Sequence, residues 1–288
     1  MNAAGPDDCQ ADCQAGWQQL SEGCKKFVRQ WNPPSDPWAS VCFCHGLGEH
    51  SGRYENLAQA FCREGLKVFA FDQQGHGQSP EGRGCIESYS AMMDDVESML
   101  GWIGTTCTKP IVLFGHSMGG NIVLNYALRK QLLPACVISS SPMIRAARQP
   151  ARWMEAVLRL VGKFAPNAKL KSNVRAETLM NDPEEQRQFY ADDVFHSKLS
   201  LRLGAALLDS GGWLLNEADK LQVPTLLTHG TVDAKTSPEA SEKFGQLAGD
   251  VCQFEKLEGE LHDPFRSLGK DAVIKLFVDF VRTHCDGN

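Results

Sequence analysis

No run of about 18 consecutive apolar residues occurs in this 288-residue chain, which excludes a membrane-spanning helix. The opening residues MNAAGPDDCQADCQAGW carry neither a basic n-region nor an apolar h-region, so no secretory leader is expected. Neither G-x-G-x-x-G nor G-x-x-x-x-G-K-[ST] is present, which removes the phosphate-cradling loops of nucleotide-binding folds. There is no internal repeat and no low-complexity tract, and no nucleic-acid partner is expected. Metal-binding spacings are missing as well. Cys9, Cys13 and Cys24 have no histidine nearby and no zinc-like pairing. In Cys42-Phe43-Cys44-His45, a strand would put both sulfurs on one face and His45 on the other, so buried apolar thiols are expected. Eleven cysteines is an odd number, in mostly apolar surroundings, which favours reduced thiols in a cytosolic protein over a disulfide framework. No metal or organic cofactor is expected.

What is present begins with Gly115-His116-Ser117-Met118-Gly119. It follows the apolar run Ile111-Val112-Leu113-Phe114 and precedes a helical segment to about Lys130. This is G-x-S-x-G in the setting that gives it meaning: strand, sharp turn, helix. Such a turn strains its central residue and lifts Ser117 Oγ clear of the sheet, and the flanking glycines leave room that a Cβ would fill. Ser117 is the expected nucleophile.

The rest of the chain fits one α/β domain with an insertion. With 42% hydrophobic residues it can bury a large core. Residues 1–15 are polar and expected to be flexible. Trp17–Leu20 and Lys25–Trp31 read as strands about a Glu22-Gly23 turn, followed by strands at Ala39–Cys44 and Leu66–Phe71. Helices are expected at Tyr54–Glu64 and Ser88–Ile103. After the nucleophile helix come strands at Ala135–Ser139, Thr225–His229 and Val251–Leu257, with helices at Pro238–Ala248 and Asp271–Thr283. Strands alternating with helices indicate a mostly parallel, doubly wound sheet. Residues 142–223 break the rhythm and read as several helices without a clear strand. An insertion at a strand's carboxyl end lies over the active site, so this is expected to be a helical cap. The core then comprises 16–141 and 224–288.

A serine nucleophile needs a base and the base needs an orienting carboxylate, in the chain order Ser, Asp or Glu, His for this fold. Asp233 follows the strand Thr225–His229 through Gly230-Thr231-Val232. His262 follows the strand Val251–Leu257 through another polar loop. Both therefore sit at carboxyl ends of strands. Asp263 adjoins His262, but its side chain would point away from the imidazole edge that needs orienting. The oxyanion hole requires two backbone N–H groups. Met118, opening the nucleophile helix, supplies one, and Leu47 in His45-Gly46-Leu47-Gly48 is expected to supply the other.

Four segments carry a family resemblance: HGLGEHSGRY at 45–54, FDQQGHGQS at 71–79, GHSMGG at 115–120 and HGTVDAKTSPEAS at 229–241. Together, in this order, they resemble the monoacylglycerol lipase and lysophospholipase family of α/β-hydrolases across roughly residues 17–285. The resemblance implies a cytosolic or membrane-peripheral serine hydrolase of fatty acyl esters. It implies the triad Ser117, Asp233 and His262, with Leu47 and Met118 amides as oxyanion hole. It also implies a polar glycerol pocket with Glu49, Arg53 and Tyr190 as substrate-binding residues. Animal lipases of the family often have a polar side chain three positions after the catalytic histidine, where this chain has Phe265.

Charge distribution points to lipid independently. From Arg145 to Arg175 there are eight Lys or Arg and one Glu, a local +7 in a chain of net −6, so the remainder carries −13. At 100° per residue Arg148, Arg152, Arg159 and Lys163 fall within about 60° of one another, opposite Trp153, Val157, Leu160, Val161 and Phe164. Pro150 sets the start of this helix near residue 150. A basic amphipathic helix with such an apolar face suits a membrane surface, or packs on the cap's own core. The readings open at this point are a monoacylglycerol hydrolase, a lysophospholipase or general carboxylesterase with the same triad, and an acyltransferase.

Overall fold

The computed structural model describes residues 11–171 and 174–285. Cys9 and the side chain of Arg152 lie outside the described residues. In chain order the elements are β1 (Asp12–Ser21), β2 (Cys24–Asn32), β3 (Ala39–Cys44), α1 (Glu55–Arg63), β4 (Leu66–Phe71), α2 (Tyr89–Thr106), β5 (Ile111–His116), α3 (Met118–Arg129) and β6 (Cys136–Ser140). Then come α4 (Arg152–Phe164), β7 (Lys169–Lys171), α5 (Pro183–Ala191), β8 (Lys198–Ser200) and α6 (Leu201–Glu217). The chain closes with β9 (Thr225–Gly230), α7 (Pro238–Ala248), β10 (Cys252–Leu257) and α8 (Lys270–Cys285).

Eight strands form one sheet in the order β1-β2-β4-β3-β5-β6-β9-β10. The β1–β2 hairpin and the β2–β4 pairing are antiparallel, and the other neighbours are parallel. Strand β3 shows why the sheet is covered on both faces. All six of its residues are buried, the continuous run a central parallel strand requires. Its side chains alternate between two cores. Cys42 and Cys44 join Met92, Val96 and Ile122 of α2 and α3, while Val41 and Phe43 join Phe61 and Phe277 of α1 and α8. The two cysteines therefore share one face, as an alternating strand demands. Strand order reverses beside β3, since β4 lies on one side and β5 on the other. Ligands of open α/β sheets bind outside the strand ends at such a switch point.

Two expectations change. Strand β1 begins at Asp12, inside the segment expected to be flexible, because β2 offers ladder partners from Asp12↔Asn32 onward. The stretch between β6 and β9 is not purely helical. Strands β7 and β8 pair antiparallel over three residues each, too short a pattern for alternation to register in sequence.

The turn from β5 to α3 is fixed by backbone packing. A Cβ on Gly115 would stand 2.3 Å from Gly119 O, and one on Gly119 would stand 1.9 Å from Cys44 O. No side chain fits at either place without moving main chain. We therefore expect Gly119→Ala to cost about 2–4 kcal/mol. Urea unfolding followed by circular dichroism reads this as a lower midpoint, and an unchanged midpoint would contradict the close approach.

Candidate active site

Ser117 caps α3 with φ 55° and ψ −113°, a conformation costly for any residue with a Cβ. Its amide donates to Ser140 O at 3.0 Å and its carbonyl accepts from Met143 N at 2.9 Å, so β6 and the chain after it hold the strained turn. Ser117 Oγ lies 3.0 Å from His262 Nε2, and His262 Nδ1 lies 2.7 Å from Asp233 Oδ2. The three residues expected to act together are thus in one hydrogen-bonded line.

The Asp233 carboxylate accepts far more than one bond. Oδ2 also takes His229 Nε2 at 3.0 Å and Thr236 Oγ1 at 2.6 Å, and Oδ1 takes the amides of Lys235 at 2.6 Å and Thr236 at 3.2 Å. Burial alone would raise its pKa. The neighbouring His262 and the donors from His229, His262 and Thr236 outweigh burial and hold it well below the usual carboxylate range. His229 is fully buried at the end of β9, and burial lowers its pKa. In its neutral form Nε2–H donates to Asp233 while Nδ1 accepts from Ser241 Oγ at 2.7 Å, a tautomer assigned from the network. Sequence reasoning passed over His229 and Thr236. The only signal was the i, i+4 and i, i+3 spacing around Asp233 within HGTVDAKT.

Burial pushes the pKa of His262 down, but Asp233, with help from Asp263 and Glu49, outweighs this and raises it above the ordinary imidazole value. Asp263 does not orient His262. Its carboxylate pairs with His116 Nε2 at 3.0 Å and Arg266 Nη1 at 3.1 Å. His116, His262 and Asp263 bring ligand-type atoms within 4.8 Å of one another, but these atoms are committed to the protein partners just named and to Ser117.

A cavity of about 210 Å³ opens over Ser117. Leu47 and Met118 line it, and among the described residues neither backbone N–H donates to a protein acceptor. The cavity lining combines the apolar Met143, Leu179, Phe195, Leu199 and Leu207 with the polar Thr236, His262 and Asp263. Glu49 lines the cavity with its oxygens engaged. It accepts from Gly46 N at 2.8 Å, Tyr54 OH at 2.7 Å, Arg53 Nε at 3.1 Å and Arg266 Nη1 at 2.6 Å. Burial works against its charge, and Arg266 and Arg53 overcome that to keep its pKa well below the usual range. Arg53 stands behind Glu49, bonded to Asp192 at 3.0 Å, in a neighbouring polar cleft. Tyr190 is not brought to the cavity. It is 59% exposed and bonds Glu177 at 2.9 Å, because α5 turns it outward. Phe265 is buried below the site, stacked on Tyr54 at 5.8 Å and edge-on to His116. The segment before β8 is tied to the loop beside the serine, since His196 N donates to Gly48 O at 3.0 Å.

A doubly wound sheet with a serine on a strained strand–helix turn, a histidine and a buried aspartate defines an α/β-hydrolase of the serine type. The chain belongs to the family described as "Serine aminopeptidase, S33", whose model matches residues 35–267. It is 30% identical over 258 residues to a monoacylglycerol lipase of Mycolicibacterium smegmatis, covering 88% of this chain and 91% of that protein. It is 31% identical over 258 residues to an uncharacterized abhydrolase domain-containing protein of Dictyostelium discoideum. That match covers 88% of this chain and spans only 27% of the Dictyostelium protein's length. The crystal structure of the Paleococcus ferrophilus monoacylglycerol lipase superposes with a TM-score of 0.82 at 28% identity, covering 90% of this chain and 99% of that one.

A general base must be neutral, so with His262 in that role activity should be held above its pKa and lost below it. Because Asp233 raises that pKa, the acidic limb of kcat/KM should lie above the ordinary histidine value of about 6.5. Asp233→Asn should move the limb to lower pH and cut kcat by about 10³–10⁴. A limb that stays in place would remove Asp233 from this role.

Proposed function

We propose that the chain is a serine carboxylic-ester hydrolase that cleaves the single acyl ester of a monoacylglycerol into fatty acid and glycerol. The observation that carries this reading is the Ser117–His262–Asp233 line, whose serine and histidine face a cavity lined by both apolar and polar residues. His262 takes the Ser117 proton as Oγ attacks the ester carbonyl. The Leu47 and Met118 amides receive the oxyanion, and Asp233 stabilises the imidazolium. His262 then protonates the departing alcohol, and a water deprotonated by the same imidazole releases the fatty acid. The apolar lining residues suit the acyl chain. The two relatives named monoacylglycerol lipase support a glyceride as acyl donor and water as acceptor.

Peripheral contact with a lipid surface is part of the same reading. No helix among the described residues is long and apolar enough to cross a membrane. On α4, however, Trp153, Val157, Leu160, Val161 and Phe164 are all exposed, Phe164 by 83%. The opposite side turns to α6, where Arg159 pairs with Asp209 at 2.6 Å. An apolar helix face left open beside basic residues favours docking on a membrane over packing within the cap.

Ser117→Ala should lower fatty-acid release from 2-oleoylglycerol by at least about 10⁴-fold with an unchanged circular dichroism spectrum. Turnover within about tenfold of the parent would exclude Ser117 as nucleophile. Replacing Trp153 and Phe164 together by Asp should weaken sedimentation with anionic vesicles by about tenfold or more. Equal partitioning of variant and parent would place the docking surface elsewhere.

A further inference from the structure

The catalytic histidine has a second histidine beside it that the mechanism does not use. His116 ends β5, one residue before the nucleophile, and its ring centroid lies 4.8 Å from that of His262. Its side chain is buried, 2% exposed, at the edge of the cavity that Ser117 and His262 line.

The neighbours of His116 decide its charge. Nδ1 lies 3.1 Å from Ser140 O and Nε2 lies 3.0 Å from Asp263 Oδ1. A backbone carbonyl only accepts. The Asp263 carboxylate only accepts as well: burial works against its charge, but His116 and Arg266 outweigh burial and lower its pKa. A neutral imidazole owns one N–H and would set a lone pair against one of these oxygens. Only the doubly protonated ring donates to both, so the hydrogen-bond network assigns His116 as an imidazolium. Other buried histidines contrast with it. His229 Nδ1 meets the Ser241 hydroxyl at 2.7 Å, and His45 Nε2 accepts from the Gln73 amide at 3.1 Å, so each is satisfied while neutral.

The charges around the pair alternate. Asp263 stands between His116 and Arg266, Arg266 reaches on to Glu49, and Glu49 to Arg53 and Tyr54. Asp233 and Lys235, from the loop after β9, are the other charged residues close to His262. Asp263 matters most among the groups that do not touch the base. It adjoins His262 in the chain and, after Asp233, draws a proton onto that ring more strongly than Glu49 does. Asp233 has to stabilise the imidazolium formed during acyl transfer. A second carboxylate left uncompensated would protonate His262 before the reaction, when the base must be neutral.

We propose that His116 is a positioning residue acting through His262: a built-in imidazolium that cancels the charge of Asp263 beside the general base and so leaves His262 able to take the Ser117 proton. The inference rests on the ester-hydrolase reading and deepens it. It gives a task to the histidine within Gly115-His116-Ser117-Met118-Gly119.

The test is a double-mutant cycle read on the acidic limb of kcat/KM for p-nitrophenyl butyrate. His116→Gln removes the positive charge and keeps an amide donor. Asp263 then acts on His262 unopposed, which favours the protonated base, so the limb should move to higher pH by about half a unit or more. Activity lost near neutral pH should return above the new limb, with KM within about twofold of the parent. Adding Asp263→Asn removes the charge that needed cancelling, and the limb of the double variant should return to within about 0.2 unit of the parent. A limb unmoved by His116→Gln overturns the proposal. So does a double variant that stays with the single one, or loses activity further at every pH, since the pair would then serve packing alone.

The parent supplies a readout that needs no variant to fold. Nitrogen NMR of the histidine rings near neutral pH should find His116, recognised by its contacts with His262 and Phe265, carrying a proton on both nitrogens. A single protonated nitrogen overturns the proposal. A parent that turns over p-nitrophenyl butyrate and no glyceride defeats the monoacylglycerol reading alone, because the cycle is read on the nitrophenyl ester.

Discussion

The backbone of Gly119 lies against the carbonyl of Cys44 where no Cβ can enter, and much of the molecule is organised around that approach. It brings the end of β3 and the loop after it against the first turn of α3. The loop that presents Leu47 and the turn that presents Ser117 are therefore set by one main-chain contact. The strain at Ser117, with its positive φ, survives because β5, β6 and α3 fix the turn from three sides. The flanking sheet is the rigid part of this arrangement. Its central strands are buried on both faces, so the carboxyl ends that carry Ser117 and Asp233 have little freedom to drift.

Around this frame the charges are unusually well buried and few are left alone. Asp233 gathers five donors, Glu49 gathers four, and Asp263 bridges His116 to Arg266. Taking these groups from water is costly, and only nearly full satisfaction offsets it. The result is orientation more than stability. Glu49 holds Gly46 N and so shapes the loop before Leu47, while His229 and Thr236 fix the carboxylate that faces His262. Lys235 stands out against this background because its amide is used and its charge is not.

The sequence revealed the arrangement at the strand ends well and the periphery less well. A serine on a strand–turn–helix, an aspartate and a histidine at later strand ends, and a Gly-rich loop after β3 each follow from local rules of order and spacing. These residues met as the chain order required. Side-chain direction was harder to read. Tyr190 and Phe189 are neighbours on α5, yet Phe189 is buried and Tyr190 faces out, a choice made by how the helix packs on the core. The β7–β8 pair is three residues long and leaves no periodic trace, and the first residues of β1 are polar enough to look unstructured until β2 supplies their partners. His229 was hidden for another reason. A histidine at a strand end looks like any core residue until the carboxylate four positions on is seen from both sides.

The link from His196 to Gly48 has a mechanical meaning. An insertion joined to the rest of a fold only at its two ends could swing as a unit. Here the segment before β8 bonds Gly48, and Asp192 closes a second link to the same loop region through Arg53. A Cβ at position 48 would strike the His196 carbonyl at 1.9 Å, so neither side tolerates drift by the other. Residues 46–53 and the segment around 192–196 are thereby held as one mechanical unit, although some 140 residues separate them in the chain.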